Sequence, residues 1–323
     1  MDNLKKKKLL VVGTGAVGGY YGGMMYKAGF DITFVARGKN YEALKKNGLT
    51  LIRDGNKEIL PIKVVKAIHE LPQQGKSDYI FICVKSTHTK EAINQIKSNV
   101  GPYTSVLSFQ NGVDNEDIIG EVIGIDRVVG SSVYVTSRLI DPGVIDQFGY
   151  NAVVIGEIDR AERARINELK NIFESSDILC NISKDIMADL WNKLVWNASF
   201  NPVSVLSGKT IDKIMEDKYL YELVKNIMIE VKEVAIAHGI SIRPDTVEFN
   251  LSRSKGIIKR NAAESQDFSG FKTSMLQDFE KGKPIELDEL VGIVIKKAEE
   301  KNVLVKTVEK VYSEVKEKVI SKV

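Results

Sequence analysis

Residues 9–19 read LLVVGTGAVGG, four apolar residues followed by glycines at positions 13, 15, 18 and 19. An apolar run that stops at glycines and gives way to a helical pattern reads as a strand, a tight turn and a helix start. Gly13 permits the tight turn, Gly15 lets the backbone approach a pyrophosphate, and Gly18 allows helix and strand to pack closely, with the first helix N–H groups facing the anion. The candidate cofactor-binding turn is therefore Gly13, Thr14, Gly15, Ala16, Val17 and Gly18. A lone glycine pattern of this kind also occurs in purely structural turns. Here a strand precedes it, a helix follows as far as Ala28, and a second strand, ITFVA over 32–36, comes next. That context turns a weak motif into a dinucleotide site.

Outward from the turn, short apolar runs alternate with helical patterns: YIFICV (79–84), TSVLSF (104–109), VVGSSVYV (128–135) and AVVIGEI (152–158). Such alternation indicates a parallel sheet covered by helices. The stretch 49–65, LTLIRDGNKEILPIKVV, breaks the pattern, and Asp54-Gly55 supplies the positive-φ residues of an antiparallel hairpin. A helix near Ala161 to Glu174 and a strand ILCNIS (178–183) complete this half, after which strand signals almost vanish. From Asp185 the chain reads as helices: 185–200, 219–239 with Gly239 as a stop, 244–257, 289–302 and a last amphipathic segment. The fold class is thus α/β, an N-terminal Rossmann-type dinucleotide-binding domain over 1–183 followed by an all-α domain over 184–323. With no repeat and no low-complexity linker, the two halves are expected to share an interface, with the active site between them.

The 323 residues are 43% hydrophobic, enough for a large core. Lys and Arg total 46 against 43 acids, a formal charge of +3 that signals neither nucleic acid nor a membrane surface as partner. The lysines at 5–8 are followed by an apolar run too short for export or spanning, which predicts a cytoplasmic protein. Cys83 and Cys180 fall in strand-like runs where a thiol packs as a small hydrophobe; thiol-based regulation at Cys83 is the less favoured reading. His69, His88 and His238 lack ligand spacing, so no metal centre is expected and the proton donor is another residue type.

At the end of the second strand, where an acid would accept the ribose hydroxyls of NAD, the chain reads TFVARGKN. Arg37, 19 residues after Gly18, can pair bidentately with a 2′-phosphate, with Lys39 as a second cation, which favours NADPH; the alternative is a solvated strand-end charge. Lys85 and Asn111 follow two further strands and line the same predicted crevice, although either residue type also serves in turns.

In the second half, Lys193, Asn197 and Asn201 recur every four residues through LWNKLVWNASFNP, a stretch otherwise filled by Leu, Trp, Val, Ala and Phe. Residues four apart share a helix face, so one ammonium and two carboxamides point nearly the same way. A buried amine beside neutral hydrogen-bonding groups can hold a small oxygen-rich ligand and deliver a proton to it. The competing reading is a solvated polar stripe.

Taken together, these motifs resemble those of the ketopantoate reductases, the 2-dehydropantoate 2-reductases, over nearly the whole chain. The similarity rests on GTGAVGG, Arg37, Lys85, Asn111 with Gly112, the K-x3-N-x3-N-P run Lys193, Asn197, Asn201 and Pro202, and a block SMLQD (274–278) followed by Glu286 and Asp288. The last two elements are the more specific. The resemblance implies NADPH-dependent reduction of 2-dehydropantoate to pantoate, a step toward pantothenate and coenzyme A. It implies Lys193 and Glu286 as catalytic residues, and Asn111, Asn197, Asn201 and Ser274 as ligands of the substrate's carboxylate and hydroxyls. Gly13 to Gly18, Arg37, Lys85, Asn111 and Glu286 would hold NADPH. Each assignment has a structural alternative: Asn201 ends a helix before Pro202, Ser274 caps the next one, and Glu286 faces solvent. Burial lowers a lysine pKa and an anion such as Glu286 raises it, so sequence leaves the resting state of Lys193 open. His88 and the two extra lysines in KGKPIELDEL, 281 and 283, depart from the pattern and bear on which 2-keto acid fits. A reductase of another 2-keto or 3-hydroxy acid and a noncatalytic NADPH sensor are the rival readings, and oligomeric state, a homodimer included, is left open.

Overall fold

The computed structural model describes residues 4–71, 76–255 and 270–322, and the chain divides into two compact units. The first comprises residues up to Gln110 and Asn115–Ile186; the second comprises Asn111–Asp114 and everything from Met187 on.

The first unit runs β1 (Lys8–Val12), α1 (Ala16–Lys27), β2 (Asp31–Val35), α2 (Gly38–Asn47), β3 (Leu49–Arg53), β4 (Asn56–Leu60), β5 (Lys63–Val65), β6 (Tyr79–Ile82), α3 (Thr89–Ile96), β7 (Ser105–Ser108), α4 (Asn115–Ile123), β8 (Val128–Asp141), β9 (Val144–Glu157), α5 (Ala164–Glu174) and β10 (Leu179–Ile182). Among the described residues these strands form a ten-stranded mixed sheet ordered β4-β3-β9-β8-β7-β6-β1-β2-β5, with β10 also on β9. Within it, β5-β2-β1-β6-β7-β8 is the parallel core, and the order reverses between β1 and β6, the place where open α/β sheets leave a crevice.

Two-residue periodicity explains why this sheet is covered on both faces. Leu9, Val11, Tyr79 and Phe81 point to one core, where Tyr20, Tyr21 and Met25 of α1 pack; Leu10, Val12, Ile80 and Ile82 point to the other, against Ala92, Ile93 and Ile96 of α3. Full burial of such a side chain contributes about 1.5–3 kcal/mol. Both faces therefore anchor the strand ends that carry the candidate residues.

The hairpin expected at 49–65 is present: β3 and β4 pair antiparallel around Asp54 (φ 50°) and Gly55 (φ 78°). β3 then joins the sheet through the first half of β9, while β10 takes the second half. One expectation shifts: α5 starts at Ala164, not near Ala161. Arg160 takes a left-handed φ of 61°, and the Asp159 carboxylate accepts the Ala161 N–H at 3.1 Å and both guanidinium nitrogens of Arg163, which holds the chain in a turn.

The second unit is helical: α6 (Ile186–Ser207), α7 (Ile211–Glu216), α8 (Lys218–Ala237), α9 (Thr246–Ser254), α10 (Ser274–Glu280), a π-helical turn at Asp288–Gly292, α11 (Ile293–Lys301) and α12 (Lys306–Lys322). Asp217 caps α8 by accepting the N–H groups of Tyr219 and Leu220, and Gly239 (φ 74°) stops it as its sequence predicts. Residues 256 and 257 of the helix expected over 244–257 lie outside the described residues.

Pro202 does not end α6. The helix continues to Ser207, so Asn201 is an interior residue, contrary to its terminal reading. Proline removes one N–H from the ladder. Serine hydroxyls in the same stretch donate to helix carbonyls, Ser199 to Val195 at 2.8 Å and Ser204 to Asn201 at 2.7 Å.

Among the described residues no helix is long and apolar enough to cross a membrane, and no group of His, Cys, Asp and Glu is placed to hold a metal.

Candidate active site

In the first unit the glycine turn leaves β1 at the carboxyl edge of the sheet. Its conformation follows from contacts that exclude side chains. Gly13 has φ 99°, and a β-carbon there would lie 2.8 Å from the Val84 backbone nitrogen. A β-carbon on Gly18 would lie 2.2 Å from the Gly13 carbonyl oxygen and 2.8 Å from Cys83 Cβ, so α1 can sit this close only without one. Around Gly15 nothing approaches such an atom within 4 Å, and α1 begins there with no side-chain cap and no acidic residue in its first turn. An uncapped N-terminus of a twelve-residue helix, open at a glycine, fits a pyrophosphate.

The turn is held from below. Gly13 and Thr14 donate their N–H groups to the Val35 carbonyl, the Thr14 hydroxyl donates to the same oxygen at 2.9 Å, and Asn40 Nδ2 donates to the Thr14 carbonyl at 2.6 Å. Thr14 is thus buried and structural in its side chain, while Ala16 and Val17 form the first turn of α1. Asn40 also accepts the Gly143 N–H at 2.7 Å, tying the turn to the β8–β9 hairpin, a link that no local pattern announces.

Arg37 stands two residues past β2, exposed, and its guanidinium is engaged by α3: one nitrogen is 3.0 Å from the Glu91 carboxylate and another donates to Gln95 Oε1 at 2.6 Å. Arg37 in turn holds the Glu91 carboxyl below the usual carboxylate range. Lys39 is exposed in the first turn of α2. Lys85 is exposed three residues past β6, and Asn111 lies three residues past β7. Ile82 pairs with Ser108 in parallel register, so β6 and β7 end at the same level. Cys83 is half-buried, and desolvation pushes its thiol well above the usual range; burial pushes Cys180 up to about 12.

In the second unit α6 presents the stripe. Lys193 is half-buried, Asn197 is 7% exposed and Asn201 1%. Asn201 Nδ2 lies 3.5 Å from Asn197 Oδ1, so the two carboxamides do share a face. Asn201 Oδ1 is buried with no hydrogen-bond partner among the described residues. Such an acceptor is costly unless something satisfies it.

The block at 273–288 meets α6 through a residue that sequence reading passed over. Thr273, not Ser274, caps α10: its hydroxyl accepts the Leu276 N–H at 3.2 Å and lies 2.6 Å from the Ser204 hydroxyl, which bonds the Asn201 carbonyl. Thr273 is 1% exposed, whereas Ser274 is exposed in the first turn. A threonine just before a helical run was a legible cap signal. Glu286 is 8% exposed just ahead of the π-helical turn, which overturns its solvent-facing reading. Burial first, and then the anions Glu286, Asp288 and Asp114, raise the half-buried Glu289 carboxyl above its ordinary range. Asp114 thereby places the Asn111–Asp114 segment beside the acids around Glu286 within this unit. Asp288 accepts a 2.5 Å bond from the Tyr312 hydroxyl of α12, which steadies the turn.

The model described as ketopantoate reductase PanE/ApbA matches residues 9–160, and the one described as ketopantoate reductase PanE/ApbA C terminal matches 185–319. The chain is 32% identical over 308 residues to 2-dehydropantoate 2-reductase of Mesorhizobium japonicum, covering 89% of this chain and 90% of the relative. The crystal structure of 2-dehydropantoate 2-reductase from Methylococcus capsulatus superposes with a TM-score of 0.83 at 28% identity, over 96% of each chain. The fold is also that of a D-mandelate dehydrogenase solved with NADH and anilino(oxo)acetate, with a TM-score of 0.87, 20% identity, and coverage of 97% of this chain and 98% of that one.

Proposed function

We propose, from the premise that this chain belongs to the ketopantoate reductase family, that it reduces 2-dehydropantoate to (R)-pantoate with NADPH, in the route to pantothenate and coenzyme A. The protein is an oxidoreductase of the 2-keto acid/2-hydroxy acid class, and its relatives carry the name 2-dehydropantoate 2-reductase. The observation that carries the reading is the face of α6, where a half-buried amine shares the helix with two buried carboxamides, one bearing an unsatisfied acceptor. A substrate hydroxyl would satisfy that acceptor.

When bound, the nicotinamide supplies a hydride to the C2 carbonyl carbon. Negative charge then grows on the carbonyl oxygen, and a cation placed there stabilises the transition state more than the ground state. Lys193 is assigned that place and gives the proton that completes the hydroxyl. Asn197, Asn201, Asn111 and Ser274 bind the carboxylate and hydroxyl groups. Glu286 accepts a hydrogen bond from a hydroxyl or orients the amine. On the cofactor side, Gly13 to Gly18 take the pyrophosphate, Arg37 with Lys39 the 2′-phosphate, and Lys85 lines the same cleft.

The test is a steady-state panel of 2-keto acids with NADPH and NADH. The expected result is the highest kcat/KM for 2-dehydropantoate with NADPH. A higher value for another acid would move the assignment to the second reading, a related 2-keto acid reductase, which identities near 30% leave room for. Cofactor binding without turnover of any acid would overturn catalysis altogether.

A further inference from the structure

The partners of Arg37 give the cofactor site a feature that its motif does not contain. β1 lies between β2 and β6 in the sheet, and the glycine turn leaves from the end of β1. Arg37 comes from the β2 side and Glu91 from α3 on the β6 side, so their 3.0 Å ion pair spans the strand from which the turn departs. Gln95, one helical turn on, donates to Glu91 Oε1 at 2.9 Å and accepts from Arg37 at 2.6 Å, closing a three-residue network. His88 Nδ1 lies 3.6 Å from the other Glu91 oxygen. The half-exposed carboxylate thus sits against Arg37, which together with Lys39 is assigned to a 2′-phosphate.

From this geometry we infer that Glu91 is a specificity-determining residue: it competes with the cofactor's 2′-phosphate for Arg37 and so moderates the preference for NADPH over NADH. The inference rests on the assignment of Arg37 to that phosphate. A phosphate brings about 1.5–2 negative charges, and binding it requires either that Glu91 yield Arg37 or that two anions share one guanidinium. A 2′-hydroxyl carries no such charge and does not compete with Glu91 for the guanidinium. Neutralising Glu91 therefore helps the phosphorylated ligand selectively.

The experiment titrates 2′,5′-ADP and 5′-AMP into the full chain as wild type, Glu91→Gln, Arg37→Ala and the double variant, by calorimetry. Glu91→Gln keeps the side-chain shape, and unchanged 5′-AMP affinity reports an intact site. The expected result is 2′,5′-ADP binding tighter by about two- to fivefold in Glu91→Gln, the scale of an exposed charge pair, with the gain lost in the Arg37→Ala background. Equal or weaker 2′,5′-ADP binding by Glu91→Gln, while Arg37→Ala weakens it, overturns the role of Glu91 and leaves the assignment of Arg37 standing. Unchanged binding by Arg37→Ala overturns that assignment, and the inference falls with it.

Discussion

The glycine turn of the first unit and the polar face of α6 in the second do opposite things with side chains. At the turn, the geometry depends on atoms that are absent: a β-carbon at Gly18 would meet a carbonyl oxygen at 2.2 Å, and one at Gly15 would meet nothing within 4 Å. On α6 the proposed site is made of side chains, an amine and two carboxamides among the buried Leu194, Val195, Ala198 and Phe200. A backbone site is robust because helix packing enforces it. On α6 the Asn201 Oδ1, buried and without a partner among the described residues, is a standing cost until some donor satisfies it.

The contrast can be broken by substitutions on each side. Lys193→Ala should lower kcat by about 10²–10⁴ with thermal unfolding little changed; near wild-type kcat would remove the amine from the chemistry. Gly18→Ala should cost roughly 3 kcal/mol of stability through overpacking, read as a lower midpoint in denaturant, since backbone and Cys83 oppose the new atom. Gly15→Ala should leave that midpoint almost in place yet weaken NADPH binding by about tenfold, the effect of about 1.4 kcal/mol; equal behaviour of the two glycines would erase the distinction between packing and ligand approach. Smallest is Glu289→Gln. Because the folded carboxyl titrates above its unfolded value, its favourable contribution is present at low pH and lost as pH rises through the folded pKa. The amide should therefore raise Tm at pH 7 by roughly 1–2 °C for a half-exposed group, and the difference should shrink as pH falls toward 4.

Most of the first unit was legible because its signals are local. Strand period, the Asp54-Gly55 turn and the glycine spacing each lie within one window of sequence, and each reappears as a strand pair, a positive-φ hairpin and an open helix start. What escaped was non-local or a matter of competition. Asn40 binding both Thr14 and Gly143 joins segments that share no pattern. Pro202 reads as a helix stop, and packing overrode it: Val203 and Val205 beyond it are fully buried, so ending the helix would expose them. The cap of α10 fell one residue early because Ser274, not Thr273, belongs to the recognisable block. The family motif named Arg37 but was silent on Glu91, since an opposing charge across a sheet edge leaves no trace in spacing.

The divided pairing of β9 bears on how the polypeptide is made. Thr50 finds its parallel neighbour only at Val144, and β10 docks on residues 152–155 after that. During synthesis the β3–β4 hairpin must therefore wait, its inner edge unpaired, until a segment far downstream has emerged from the ribosome. Pairings of such long sequence separation form slowly, and unpaired edges on a nascent chain are where aggregation begins. Chaperone demand in this protein should accordingly concentrate on the interval between the appearance of residue 60 and that of residue 147.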